Sequence, residues 1–344
     1  MRYAWLFIII NSFFYTLRSQ NTEYFHLNQP NYKAHASLYN SVDFIDSRED
    51  TSDFGKVYSR TARRLLPAQP QIDFYTQFNW LLANFTDSTA KPNELLVQLR
   101  KFKFFEFGDG IYNCGYCTLR LDLYSRKENG YIKIARLDTV IYLEEVKNIT
   151  TSLFDATSEA INDFVFIHLA KIPDSQPVLM RPEIMSIQKT EKQNMPLYNN
   201  TSYKNGVYFS YQSFKNQVPD FAIAGIYKNQ GEIEKLFIVT KNQKIIKRNV
   251  NIAYAFVYED KPYMIGDFGC YLMEKRDDGF YFAMKATVIA DRTSMALAKG
   301  FGYVLGGRLG LAIGQNIAKN SAKGLFETKL DHVDGSFIVL KRID

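Results

Sequence analysis

The chain has 344 residues, 46% of them hydrophobic, and a net charge of +6. That length suggests two domains of about 100–200 residues each, and the composition is that of a globular protein. Three cysteines are too few for a disulfide-built scaffold, and a small charge surplus spread along the chain argues against a nucleic-acid footprint.

Residues 1–20 read as a secretory signal. Arg2 supplies the positive start, Trp5 to Ile10 open an apolar run that reaches Phe13, Phe14 and Leu17, and Ser19 offers a small residue near a cleavage point. Asn11 and Ser12 interrupt the run, which is too short to span a bilayer comfortably. Its removal takes Arg2 and Arg18 and leaves 40 basic against 36 acidic residues, a net +4. The expected location is exported: periplasm, outer envelope or extracellular. Residues 21–35 read as a polar lead-in.

A first module is expected over 36–172. Leu38 to Ile45 reads as a strand, followed by an acidic run, Asp43, Asp46, Glu49, Asp50 and Asp53. Without the glycine turn and spacing of a Ca²⁺ loop, that run reads as a solvated loop. Phe74, Phe78, Leu81, Leu82 and Phe85 follow the helical period, with Asp73 placed to cap the helix. Leu95, Val97 and Leu99 alternate as a strand, and the shift of phase to Phe102 and Phe104 implies a bulge. Cys117, Leu119, Leu121 and Leu123 share one face of the next strand, and Asn129-Gly130 marks a hairpin. A second helix is expected near 151–169, with Leu153, Thr157, Ala160, Phe164 and Ile167 on its apolar face. Strand, helix, several strands, helix describes two helices on one side of an antiparallel sheet.

Cys114-Gly-Tyr-Cys117 has the spacing of a redox pair. It leads into a strand rather than a helix, where the two side chains face opposite sides. A structural bridge and plain cysteines stay open; Cys270 reads as a small hydrophobe.

Residues 173–205, with Pro173, Pro177, Pro182 and Pro196, read as a linker. A second, β-rich module is expected over 206–344. Short strands alternate with turns at Asn229-Gln-Gly231, Lys241–Lys244, Glu259–Lys261 and Arg276-Asp-Asp-Gly279.

That module is interrupted by a ladder of small residues. Ser294, Ala298, Gly302, Gly306, Gly310, Gly314, Ala318 and Ala322 recur every four positions. On a helix over 293–322 they would form one groove, deep enough for another helix to approach closely. Gly302, Gly306, Gly310 and Gly314 are therefore the expected interaction residues, for self-association or an unknown protein partner. Membrane-surface contact and a flexible insertion are the other readings. Arg308, in the middle of the apolar stretch, opposes a simple span.

No familiar catalytic motif stands in the chain. His26, His35, His168 and His332 are scattered. His168 reads as a packed histidine, and His332, between Asp331 and Asp334, as part of a solvated turn. No metal or cofactor is expected.

The signal, the opening Gly206-Val-Tyr-Phe-Ser-Tyr-Gln-Ser-Phe-Lys-Asn with Pro219, and the strand series ending in a glycine-rich insertion resemble uncharacterised secreted proteins of Bacteroidetes type. The first module, through its strand ending in Asp46-Ser-Arg48 and its element order, distantly resembles small envelope lipoproteins of the YajG or transport-auxiliary type. It lacks their lipid-anchor cysteine, so tethering does not carry over, and neither resemblance implies a catalytic residue. The expected function is non-enzymatic binding or structure in the envelope or outside the cell, through sheet surfaces and the glycine groove. The alternative is a secreted hydrolase working through carboxylates.

Overall fold

A computed structural model describes residues 22–59, 64–108, 113–145, 149–173, 177–266, 268–288 and 322–344. The fold is α+β, with several antiparallel sheets and few helices. Two compact units divide the chain, Met1–Leu179 and Met180–Asp344. The export signal and all of the ladder but Ala322 lie outside the described residues.

In the first unit, β1 (Glu23–Phe25), β2 (Ser41–Asp46), β3 (Gly55–Tyr58) and β4 (Leu65–Pro70) precede helix α1 (Phe74–Phe85). Then come β5 (Glu94–Gly108), β6 (Asn113–Lys127), β7 (Gly130–Glu145) and helix α2 (Thr150–His168). The strands form one sheet in the order β1-β4-β3-β5-β6-β7, with β2 also on β5. The β5–β6–β7 meander is antiparallel, as expected. So is the β3–β4 pair, but three pairings depart from the expectation, because β2 and β3 run parallel to β5 and β1 runs parallel to β4. The crossover that contains α1 returns the chain in the direction of β2, which a tight hairpin would not do.

Helix α1 starts where expected, with the Thr76 amide donating to the Asp73 carboxylate at 2.9 Å. It buries Phe74, Phe78, Leu81, Leu82 and Phe85, each contributing about 1.5–3 kcal/mol. They meet Leu95, Val97, Leu99, Phe102 and Phe104 of β5, and Cys117, Leu119, Leu121 and Leu123 of β6. The bulge expected in β5 lies between Leu99 and Lys101, and it keeps both apolar runs on the core face. Helix α2 buries Leu153, Phe154, Thr157, Ile161, Phe164 and Val165. Its expected face was rotated, since Ile167 is 65% exposed. Gly55, at φ +84°, has no room for a Cβ, which would collide with the Phe104 carbonyl of the neighbouring strand.

In the second unit, α3 (Arg181–Met185), α4 (Ile187–Gln193) and α5 (Pro196–Asn199) replace most of the expected linker. Ile184 and Leu197 are fully buried, so this segment is packed structure. The proline at the first or second position starts α3 and α5, as suits its fixed φ. After β8 (Gly206–Tyr208) and α6 (Tyr211–Lys215), a three-stranded antiparallel sheet is built from β9 (Ala222–Asn229), β10 (Glu232–Val239) and β11 (Ile245–Asn249). Next come β12 (Ala255–Tyr258), β13 (Lys261–Gly266) and β14 (Gly269–Leu272), which form a sheet with β8. A last sheet holds β15 (Glu274–Arg276), β16 (Gly279–Val288), β17 (Ala322–Leu330) and β18 (Phe337–Arg342). Strand β17 was missed in the sequence, because the ladder ran to Ala322; that residue instead opens the strand. Strands β16 and β17 pair from Tyr281↔Lys329 to Val288↔Ala322. Residues 289–321 thus connect two adjacent strands of one sheet.

Candidate functional site: a cationic sheet face in the second unit

The expected interaction residues Gly302, Gly306, Gly310 and Gly314 lie outside the described residues. The other sequence candidates fall into place singly. In the acidic run, the Asp46 carboxylate accepts from the Arg48 guanidinium, whose plane sits 3.8 Å from the Phe54 ring centre. Asp50 accepts from Ser52 and the Asp53 amide, and Asp53 accepts from the Gly55 amide. His168 Nδ1 lies 2.7 Å from the Phe164 carbonyl, and its ring packs edge-on against Phe164. His332 corrects the expectation of a solvated turn: it is 6% exposed, with Nε2 2.8 Å from the Glu191 carboxylate. Burial lowers its pKa, against the pull of Glu191. Among the described residues no group of three or more His, Cys, Asp and Glu side chains could hold a metal ion.

Cys114, Cys117 and Cys270 form no disulfide with one another among the described residues. Cys117 is buried in the core, while Cys114 lies 3.6 Å from the Tyr142 hydroxyl. Burial pushes the Cys117 thiol up to about 12, so little thiolate forms near neutral pH. In the native protein Cys117 is expected to resist iodoacetamide and to react fully in denaturant, as read by mass spectrometry of its peptide. Rapid native labelling would show the core to be open.

Two sheet faces carry charge. In the first unit, the side of β5–β6–β7 turned away from the helices holds a buried ionic cluster around Asp122. Its carboxylate meets Arg100 at 3.2 Å, Arg136 at 2.7 Å and Lys133 at 2.8 Å. Asp122 side-chain exposure is 0% and that of Arg100 is 1%. Burial raises the Asp122 pKa, but the guanidinium of Arg136 and the ammonium of Lys133 outweigh it and hold the carboxyl below its ordinary value. Lys133 is lowered by its own burial, against the opposite pull of Asp122. Beside this cluster, Arg120 donates to Asp138 at 2.9 Å.

The second face is different in kind. Between Ala222 and Asn249 the chain carries Lys228, Lys235, Lys241, Lys244, Lys247 and Arg248 against Glu232 and Glu234. That is a net +4 within 28 residues of a chain whose total is +6. None of the six cations has a carboxylate within 4.0 Å among the described residues. The two acids are engaged elsewhere, Glu232 with Lys285 at 3.5 Å and Glu234 with the Asn229 amide at 2.9 Å.

Local geometry explains the face. Gln230 and Gly231, both at positive φ, make the tight turn from β9 to β10. Alternation, shifted by a bulge between Ile233 and Lys235, then sends Ile233, Leu236 and Ile238 inward to a small core with Phe256 and Ile265. Lys235, Phe237 and Val239 point the other way. Register sets Lys247 beside Phe237, with Gly225 on its other side. The missing side chain at Gly225 leaves space beside the Phe237 ring, which a Cβ there would touch at 3.7 Å. The Lys247 ammonium sits 4.2 Å from the Tyr227 ring centre and 5.6 Å from that of Phe237. Tyr227 is 40% and Ile245 62% exposed. The outcome is a face on which Tyr227, Phe237, Val239 and Ile245 stand beside Lys235 and Lys247, with Lys241 and Lys244 in the turn at one end. The sequence reading treated the charge as scattered; a window of about 30 residues would have found it.

No family model and no curated protein matches the chain. Among solved structures, it is similar to the crystal structure of a Xanthomonas campestris protein described by the DUF330 family model, with 10% identity and a TM-score of 0.29. The likeness covers 49% of this chain and 99% of that one. Similarity of that size carries no inference about function.

Proposed function

We propose that this chain is an exported, non-enzymatic binding protein that engages its partner through the outward face of β9–β11. The observation that supports this reading is a set of cations without carboxylate partners, Lys235 and Lys247 on the face and Lys241 and Lys244 in the turn at its end, beside the exposed Tyr227 and Ile245. Desolvating a charge is favourable only where an opposite charge is supplied, so the face suits an acidic partner. In this reading the glycine ladder is a second contact element, on the strength of its spacing. The hydrolase alternative would rest on Glu106, whose pKa is raised to about 7. Its side chain is 3% exposed and already accepts from Tyr58 and Thr150, which leaves it poorly placed to meet a substrate.

The test is fractionation of the protein expressed in its own host, wild type against Lys235→Glu/Lys247→Glu. Wild type is expected in the particulate fraction and released by high salt; the variant is expected in the soluble fraction. The same distribution for both would sink this reading. The mature chain is expected to start at Gln20 or Asn21, read by N-terminal mass spectrometry, and an intact Met1 would remove export.

A further inference from the structure

Resting on the binding reading above, we infer that the β9–β11 face adsorbs to an anionic lipid surface, with Ile245 and Tyr227 entering the headgroup region and the surrounding lysines meeting lipid phosphates. The chemistry of the face distinguishes this occupant from others. A polyanion such as an acidic glycan would answer the ammonium groups but would leave the apolar side chains against water. Ile245 is 62% exposed, and it shares the face with Val239, which pairs with it across β10 and β11. Lys244 immediately precedes Ile245, in the turn between the two strands. An aliphatic group beside an unpaired ammonium matches the boundary between acyl chains and phosphates, where apolar groups insert by about 5–10 Å.

Tyr227 adds an amphipathic ring of the kind that favours this depth. Its neighbour Lys247 has a flexible stem, so the ammonium can leave the ring and reach outward. Strands β9 and β10 are each eight residues long and β11 five, and at about 4.8 Å between strands they span roughly 10 Å across. The cations share one sign, and both carboxylates of the segment are held by Lys285 and Asn229. Lys285 offsets the charge of Glu232, and the six cations outnumber the remaining acid Glu234, so attraction to a negative surface prevails.

Binding is measured by co-sedimentation with phosphatidylglycerol-containing vesicles and with pure phosphatidylcholine vesicles. A heparin column and a polyglutamate column are run beside them. The protein is expected to bind the anionic vesicles and to be released by salt, with little binding to the neutral ones. Each cation contributes about a fivefold factor. Lys244→Glu/Lys247→Glu is thus expected to weaken vesicle binding by about a hundredfold or more, since reversal adds repulsion. Ile245→Ser, which leaves every charge in place, is expected to weaken vesicle binding by about tenfold while heparin retention stays nearly unchanged. Circular dichroism checks that these surface variants fold.

Retention on heparin or polyglutamate that depends on the lysines, without vesicle binding, would overturn the lipid assignment and leave the binding reading standing. Vesicle binding that is insensitive to Ile245→Ser would also overturn it, since the aliphatic contact is what separates a membrane from a polyanion. If Lys244→Glu/Lys247→Glu alters neither vesicle nor polyanion retention, both the lipid assignment and the binding reading fall.

Discussion

Replacing Asp122 with alanine is expected to destabilise the first unit by about 3–5 kcal/mol near neutral pH. The carboxylate is completely buried, and Arg100, Lys133 and Arg136 converge on it within 3.2 Å. Removing it leaves these cations facing one another in a poorly solvated place, where an uncompensated charge is costly. Lys133→Met is the control, because Lys133 is 33% exposed and two guanidinium groups remain on the carboxylate. Its cost is expected to stay below about 1 kcal/mol. Urea unfolding of both variants decides the matter, and equal small costs would mean that water screens the cluster. The pH dependence has a definite sign. The folded-state pKa of Asp122 is depressed, so its contribution is present above the unfolded value and is lost as pH falls through the folded one. The difference between wild type and the alanine variant should therefore start to shrink below about pH 4 and go on shrinking until the pH has passed the lower folded-state value.

Glu106→Gln is expected to have the opposite effect, a stabilisation that grows with pH. Burial raises the Glu106 carboxyl to about 7, opposed by hydrogen bonds from the Tyr58 amide and Thr150 hydroxyl and assisted by the charge of Glu23. The local bonding favours a neutral acid. The Thr150 hydroxyl lies 2.8 Å from the Tyr58 carbonyl and 3.0 Å from Glu106 Oε2. It has one proton, so donation to the carbonyl leaves its lone pair for a protonated Glu106 to donate to. Ionisation makes the two acceptors compete for that proton. Because the folded pKa lies above the unfolded one, ionisation disfavours the fold. The penalty is absent below about pH 4.5, grows as pH rises toward the folded value near 7, and is constant above that. Glutamine removes the charge, so the gain should approach about 3 kcal/mol at about pH 8 and vanish at about pH 4. Unfolding free energies of wild type and variant across this range measure it. A pH-independent difference would place the ionised carboxylate in contact with water. If the hydrolase alternative held, the same variant would instead lose activity at every pH.

Much of the local structure was open to sequence reasoning, for reasons that are themselves local. Helix α1 follows from five apolar residues at helical spacing and from Asp73, whose carboxylate needs only the amide three residues on. The β5 bulge followed from a break in alternation, which is a property of neighbouring residues. The hairpin between β6 and β7 followed from Asn129-Gly130. Helix α2 was found, but its face was misread by part of a turn, since Thr157 and several apolar positions fit more than one stripe. The segment over 173–205 was read as a linker because helices of four to seven residues are too short to show a period.

By itself, then, the sequence determined that the fold is α+β and where its strongest helix and hairpins lie; the charge concentrated over residues 222–249 is written there too, but the whole-chain reading treats it as spread along the chain. Tertiary structure alone decided which of these charges meet a partner. Asp122 lies 22 residues from Arg100 and 14 from Arg136, and only the register of three strands brings them together. Similarly, nothing local distinguishes Lys133, held by Asp122, from Lys247, which lies over Tyr227 with no carboxylate beside it. Coulomb energy depends on distance and surrounding dielectric rather than on order along the chain. The same kinds of residue therefore form a buried cluster in one sheet and an exposed, unmatched face in the other.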